Sequence, residues 1–391
     1  MIYVGIDVAS EKHDFIIMDS NGVMYSKRAI TIPNNNLGYK KLHNSIKEFC
    51  EACNDFQVRI GLESTGFYHE NILNYLVKEN YDVMVINPIL TNMSKKSKKV
   101  HTAKNDNLDA IAICKYLYDP DTEFIPYTLV SYHTNALKSL SRERFHLKEK
   151  VRIEKQNINK LITKIFPEYL SLFSNVYQGS AALILKRYPS TKKISSAHTD
   201  TISSLIHGRC KVTAQQIKEL AKSSIGRDEE YLSLQLIHAF NRLEDMEDEL
   251  KEYDELILKY VKEINPNILS IPGVGAVTAG LLLGEIGNIN RFKNVDNLVS
   301  FAGIDIEVYE SGKYQATNYH VSKKGSKYLR YALFQVSRVI WIHDPTFNQY
   351  YFKKKAESKH HYVILGHIQK KLVRVIYSML KSKENYNISQ N

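Results

Sequence analysis

Asp7, Glu63, Asp106 and Asp109 are the side chains best placed along this chain to do chemistry. Asp7 ends the apolar run 2–6 and Glu63 ends a second one, 58–62, while Asp106 and Asp109 stand three apart in a stretch that reads as helix. Positions i and i+3 share a helix face, and strand ends and helix faces are where an α/β fold assembles an acidic pocket. Several carboxylates together can hold two divalent ions about 4 Å apart, the arrangement that activates an attacking oxygen and stabilises a leaving one in phosphodiester chemistry. Hard oxygen ligands suit Mg²⁺ or Mn²⁺. Singly, each acid has a plainer reading: Asp7 could cap the segment after it, and Asp106 and Asp109 could favour a helix N-terminus. The joint pattern points to a metal-dependent enzyme acting on nucleic acid.

Cations cluster beside these acids. Residues 94–104 hold Lys95, Lys96, Lys98, Lys99, His101 and Lys104, a run that would grip a phosphate backbone next to the metals as a loop ordering on substrate. A solvated charge run is the competing reading. Further on, Pro272-Gly273-Val274-Gly275 precedes a helical stretch and resembles a helix-hairpin-helix element, whose glycines let backbone N–H groups approach a phosphate. It is also simply a good turn. Ser311 lies in Glu310-Ser311-Gly312-Lys313 between two extended stretches, with Lys323, Lys324, Lys327 and Arg330 following. On composition Ser311 is a turn residue, and no His or Asp at recognisable spacing marks it as an activated nucleophile.

The elements that must position these residues follow from periodicity. Residues 2–8, 15–18 and 25–32 read as three consecutive strands, with Asn21-Gly22 as a turn. A helix over 37–53, a strand over 58–63, a helix over 68–77 and a strand over 81–86 complete a mixed sheet flanked by helices. Apolar residues at three-and-four spacing then predict a coiled-coil-like helix over 135–165 and a stronger one from Leu232 to Ile257. The first carries Lys148, Lys150, Arg152 and Lys155 outward and the second Glu244, Asp245, Glu247 and Asp248. They could pair with each other or with a copy from another subunit; two solvated faces is the alternative. Residues 166–226 show helix signals at 181–186 and 213–222 but no chemistry. After residue 268 come the glycine-rich hairpin, a helix to residue 286, an irregular region, and helices over 327–342, 346–358 and 362–381.

At 391 residues the chain has room for two or three domains. Its 53 Lys and Arg against 42 acidic residues leave a net charge of +11, which favours a polyanionic partner through counterion release. Four scattered cysteines, Cys50, Cys53, Cys114 and Cys210, are too few for a disulfide framework and fit a reducing cytoplasm. Cys50 and Cys53 form a CxxC pair, but no second ligand pair follows for zinc. Asp7 interrupts the first apolar run, so no signal peptide is expected, and no run reaches the roughly 18 apolar residues of a membrane span.

Taken together, GIDVASEKHD, GLESTGFYH, INP at 86–88 and KNDNLDA in the first part, and SIPGVGAVTAGLLLGEIG, RFKNVDNLVSFAGI, YESGKY and SKKGSKYLRYAL in the last, resemble the DEDD insertion-sequence transposases of the one-ten family, which are bridge-RNA-guided recombinases. The resemblance covers nearly the whole chain. It is weakest over 166–226, and the family's KTD is here Lys104-Asn105-Asp106. It implies an RNase H-like (RuvC-like) α/β domain over 1–125, a helical coiled-coil middle over 126–265 with an inserted segment, and a mostly α transposase domain over 266–391. It implies that Asp7, Glu63, Asp106 and Asp109 bind metal and that Ser311 attacks a DNA phosphate to form a phosphoserine linkage. The implied partners are donor and target duplex DNA and a structured noncoding guide RNA. A dimer or tetramer would share composite sites. Lys95, Lys96, Lys98, Lys99, Lys104, Gly273, Gly275, Lys313, Lys323, Lys324, Lys327 and Arg330 are then the expected nucleic-acid contacts.

Three rivals stay open at this level. A RuvC-like junction resolvase would hydrolyse with water and leave no covalent intermediate. An actin-like ATPase or sugar kinase also opens with an acid after a strand, but a second glycine-rich phosphate loop is missing, and nucleotide-binding calorimetry separates it. A non-catalytic nucleic-acid-binding relative is opposed by four intact acids.

Overall fold

The structure is a computed structural model that describes residues 1–63, 68–86, 106–124, 126–208, 211–307, 310–311, 314–315 and 320–388. Contacts divide the chain into two compact units, Met1–Tyr132 and His133–Asn391.

The first unit is built on a five-stranded sheet of order β3-β2-β1-β4-β5. Strands β1 (Ile2–Val8), β2 (Lys12–Met18) and β3 (Ile30–Pro33) form an antiparallel meander. Strands β4 (Val58–Glu63) and β5 (Asp82–Ile86) run parallel to β1, as the intervening helices α1 (Asn36–Cys53) and α2 (Glu70–Lys78) require. The mixed sheet expected from the sequence is therefore present. One strand is shorter than expected: residues 25–29 do not pair as a strand, because β2 offers partners to β3 only from Lys12 to Phe15. Before that point a single bridge joins Met24 to Met18, and Ser26 turns back on the Arg28 carbonyl.

Alternation along β1 sorts the side chains between two faces. Ile2, Val4, Ile6 and Val8 pack with Leu42, Ile46, Ile72 and Leu76 beneath α1 and α2. Tyr3, with Ile16 and Met18 of β2, lies on the other face, against Ala110 and Cys114 of helix α3 (Asp106–Tyr118). Asp7 shares that second face by the same alternation.

The second unit is mostly helical. Helices α4 (Leu129–Ile165) and α10 (Glu230–Ile264) run antiparallel, as the ion pairs Arg144–Asp254, Glu154–Arg242 and Lys155–Glu247 show. Of the pairings open at the sequence level, the one within the chain is realised. Between them, α5 (Tyr169–Leu172), α6 (Gly179–Arg187), α7 (Thr191–Ser196), α8 (Thr199–Ser203) and α9 (Ala214–Ser223) build a core of Tyr169, Ile184, Leu185, Ile194, Ile202 and Ile217 with residues of α4 and α10. A capping box of Thr213 and Gln216 starts α9.

A separate core gathers α11 (Ala276–Ile286), α12 (Val295–Ala302), α13 (Lys327–His343), α14 (Pro345–Ala356) and α15 (His361–Ser382). Between α12 and α13 the chain makes an extended excursion. Its base is β6 (Ile306–Glu307) paired with β9 (His320–Val321), and its outer part is β7 (Glu310–Ser311) paired with β8 (Tyr314–Gln315).

Candidate active site

The parallel register of β1 on β4 brings the first two acids together. Ile6 is paired with Leu62, and Asp7 and Glu63 each follow by one residue. They therefore occupy neighbouring strand ends on one face, and both are half-buried. Gly5 and Gly61, two residues before each acid, are themselves paired. Their missing side chains let α3 lie close: an ideal Cβ at Gly5 would stand 2.3 Å from the Ala110 carbonyl oxygen, and one at Gly61 would meet Ile113 and Leu117. Cys114 Sγ reaches the Tyr3 carbonyl at 3.3 Å. Burial pushes this thiol up to about 12, so it is an inert packing group.

These contacts set the direction of α3. The turn from Ala110 to Cys114 lies over Gly5, and Tyr118 near the helix end meets Tyr3 edge to face at 5.6 Å, so the turns before Ala110 run toward the Asp7 end of β1. Position 106 is one turn before Ala110, and Asp109 one turn before Ile113. The start of the helix, where its two acidic positions lie, thus points toward the ends of β1 and β4. Asp109 is half-buried; the side chain of Asp106 lies outside the described residues. Among the described residues, no group of three or more His, Cys, Asp or Glu is gathered tightly enough to hold a metal ion.

Asp14 is a neighbour that sequence reasoning missed. It is paired directly with Asp7 across the β1–β2 hairpin, is 8% exposed, and accepts a hydrogen bond from Thr31 of β3. Directly opposed residues in an antiparallel pair share a face, so Asp14 stands on the side of the sheet that bears the acids. The signal was available in the hairpin symmetry about residues 10 and 11.

The remaining expected residues fall elsewhere. Lys95, Lys96, Lys98, Lys99, Lys104 and Lys313 lie outside the described residues. Ser311 is in β7, paired with Tyr314, so only Gly312 and Lys313 separate the two paired residues along the chain. The excursion bearing it is tied at its root: Ser322 N donates to Asp305, Lys323 N to Gly303 and Ser326 N to Phe301 carbonyls. Gly273 has φ +88° and its position abuts Val339, whereas open space surrounds Gly275, the N-cap of α11. Lys323 and Lys324 are exposed. Lys327 Nζ stands 4.9 Å from the centre of the Tyr328 ring. Arg330 turns inward and donates to the Ala302 carbonyl at 3.0 Å.

A DEDD transposase model of the IS110 type matches residues 4–167, and a model described as the transposase IS116/IS110/IS902 family matches residues 265–352. The chain belongs to the IS110-type DEDD transposases. It is accordingly a DNA transposase or recombinase. The first match contains all four acids and the second contains Ser311. This family member is 21% identical to the pilin gene-inverting protein of Moraxella bovis, over 98% of this chain and 97% of that protein. It is 22% identical to the 44.8 kDa protein of insertion element IS116 from Streptomyces clavuligerus, over 98% and 95% of the two. A likeness to T. thermophilus RuvC, solved in complex with a Holliday junction substrate, has a TM-score of 0.22 at 11% identity and covers 30% of this chain and 93% of that one. Among the described residues, no helix is long and apolar enough to cross a membrane.

Proposed function

We propose that the protein cuts, exchanges and rejoins the DNA strands of a mobile element, with an RNase H-like acidic site and Ser311 as nucleophile. The observation that carries this reading is the parallel register that sets Asp7 beside Glu63, with the start of α3 pointing toward the same strand ends. The donors are all carboxylate oxygens, a set that fits Mg²⁺ or Mn²⁺. Asp7, Glu63, Asp106 and Asp109 would hold the ion. When bound, it supplies positive charge at the scissile phosphate.

Ser311 Oγ attacks phosphorus, an O–P bond forms, and the bond from phosphorus to one deoxyribose oxygen breaks. That oxygen leaves with the proton. The phosphodiester energy is retained in the serine linkage, so attack by a different strand end reverses the step and completes exchange. The short β7–β8 pairing supports this role, since Ser311 is paired directly with Tyr314 and only Gly312 and Lys313 lie between them along the chain. The acids and the serine lie in different units of the chain, which suits a dimer or tetramer with composite sites. The net charge of +11 suits two polyanions, the duplex DNA and a structured guide RNA, in the cytoplasm. The turn at 272–275 serves as a helix-hairpin-helix element, and α4 with α10 as a coiled-coil arm.

Ser311→Ala is expected to abolish covalent protein–DNA adducts on denaturing gels while binding persists. Adducts that survive remove the serine from this role. Asp7→Ala or Asp106→Ala is expected to stop cleavage in Mg²⁺, and a variant that still cuts takes that residue out of the site. A second reading, a junction nuclease using water, is favoured by one fact: all four acids belong to the first unit. Cleavage of bare four-way junctions without any adduct would establish it.

A further inference from the structure

Helix α11 lies unusually close along α4. An ideal Cβ at Gly284 would stand 2.5 Å from the Lys138 nitrogen, and one at Gly280 would stand 3.5 Å from Ser141 Oγ. Toward the start of α11 the helices part, and a cavity of about 260 Å³ opens between them and α13. Ser141, Phe145, Lys148, Thr278, Tyr331 and Gln335 line it. None of these was singled out as a site residue by the sequence.

Three features of the cavity describe its occupant. One wall is aromatic: Phe145 and Tyr331 meet edge to face with ring centres 5.0 Å apart, and Phe145 also meets Tyr328 edge to face at 5.3 Å, with Lys327 Nζ 5.9 Å from its ring centre. The floor is polar and unsatisfied, because Ser141 is 3% exposed and its hydroxyl has no hydrogen-bond partner. A buried hydroxyl left so costs free energy unless a ligand or water meets it. The mouth is cationic. Lys148 is exposed there, and α11 begins at Gly275 with no side chain capping its first N–H groups and open space beside it. Arg144 also lines the cavity but is held by Asp254.

An aromatic corner, a few hydrogen-bonding groups and an anion-binding rim together match a nucleotide. A cavity of this size admits one base and excludes a base pair. We propose that it receives a single unstacked nucleotide from a single-stranded segment of nucleic acid. The base lies against Phe145 and Tyr331, its polar edge meets Ser141, Thr278 and Gln335, and its phosphate sits at Lys148 and the start of α11. The proposal rests on the reading that this protein handles nucleic acid, and it adds a site for unpaired strands away from the acids.

The test uses the full chain with short oligonucleotides carrying 2-aminopurine, as single-stranded DNA, single-stranded RNA and blunt duplex. Unstacking into the cavity is expected to change 2-aminopurine fluorescence with at least one single strand and with no duplex. The arm that responds identifies the source of the strand. Gln335→Trp fills the mouth, and Thr278→Glu sets a carboxylate there in a first helical turn that tolerates one. Each is expected to weaken single-strand binding by about tenfold while leaving duplex binding within about twofold. Wild-type affinity in both variants overturns the proposal, as does an equal loss for duplex and single strand, which would mean a backbone contact only. Unchanged melting shows that the variants fold. Cleavage of duplex substrate in Mg²⁺, with the guide RNA supplied, is read separately: a protein that cuts without any 2-aminopurine response refutes the pocket alone, and one that gives the response but never cuts refutes the acidic site.

Discussion

Gly5 lies against the backbone of Ala110, so closely that an ideal Cβ on Gly5 would stand 2.3 Å from its carbonyl oxygen and 2.5 Å from the Cys114 nitrogen. Neither is the end of a flexible side chain, so α3 itself would have to move. Gly5→Ala is expected to cost about 1–3 kcal/mol by overpacking and to separate the α3 acids from Asp7. Urea unfolding should show the loss of stability, and cleavage should fall more than the unfolded fraction explains. Wild-type cleavage in a destabilised variant would mean that the seat of α3 does not set the site.

Gly273 adopts φ +88°, and its position abuts Val339. Gly273→Ala places a side chain in left-handed backbone with a neighbour at 3.0 Å and is expected to cost about 1–2 kcal/mol. The thermal midpoint should fall. Gly275→Ala, with φ −86° and open space, should leave it nearly unchanged. Equal effects at the two glycines would contradict this account of the turn.

Glu285 is 1% exposed and is gripped by Arg142 through two bonds of 2.5 and 3.0 Å, with Ser326 Oγ adding a third at 2.7 Å. Burial alone would raise its carboxyl, but the hydrogen bonds from Arg142 and Ser326 carry it below the ordinary value of 4.5. A depressed carboxylate contributes stability that is present above the unfolded value and lost as pH falls through the folded one. The wild type should therefore lose stability steeply on the acid side of about pH 4.5. Glu285→Gln removes the negative charge facing Arg142, whose side chain is 38% exposed, with an expected cost of about 1–3 kcal/mol at neutral pH, and its melting should depend less on pH in that acid range. An identical acid limb in both proteins would show that other carboxylates control it.

Tyr386 OH donates to Asp344 Oδ2 at 2.7 Å, while the other oxygen of Asp344 caps α14 at Phe347 N. Burial, helped by that acidic neighbour, pushes the Tyr386 hydroxyl above its ordinary range. Tyr386 N also donates to Ser270, just before the glycine turn. Tyr386→Phe leaves one oxygen of a 1% exposed carboxylate without this donor and is expected to cost about 1–3 kcal/mol, visible in urea unfolding. An unchanged midpoint would show that the tail does not brace the turn.

Much of this protein was determined by local sequence. Apolar runs ended by Asp7 and Glu63 are in strands β1 and β4, and three-and-four spacing from Leu232 to Ile257 lies within α10. Such patterns survive because each element's buried face is written in its own residues. The acids were legible for the same reason, as they end or extend those faces. What depended on distant partners was not. The extent of β3 was set by how far β2 could pair with it, and Asp14 became Asp7's neighbour only through hairpin register. The pairing of α4 with α10 joins residues about 90 to 110 apart in sequence, through ion pairs and a shared apolar core. The cavity needed three helices at once, two of them held together at Gly280 and Gly284, so tertiary packing alone placed Ser141, Phe145 and Gln335 around one space.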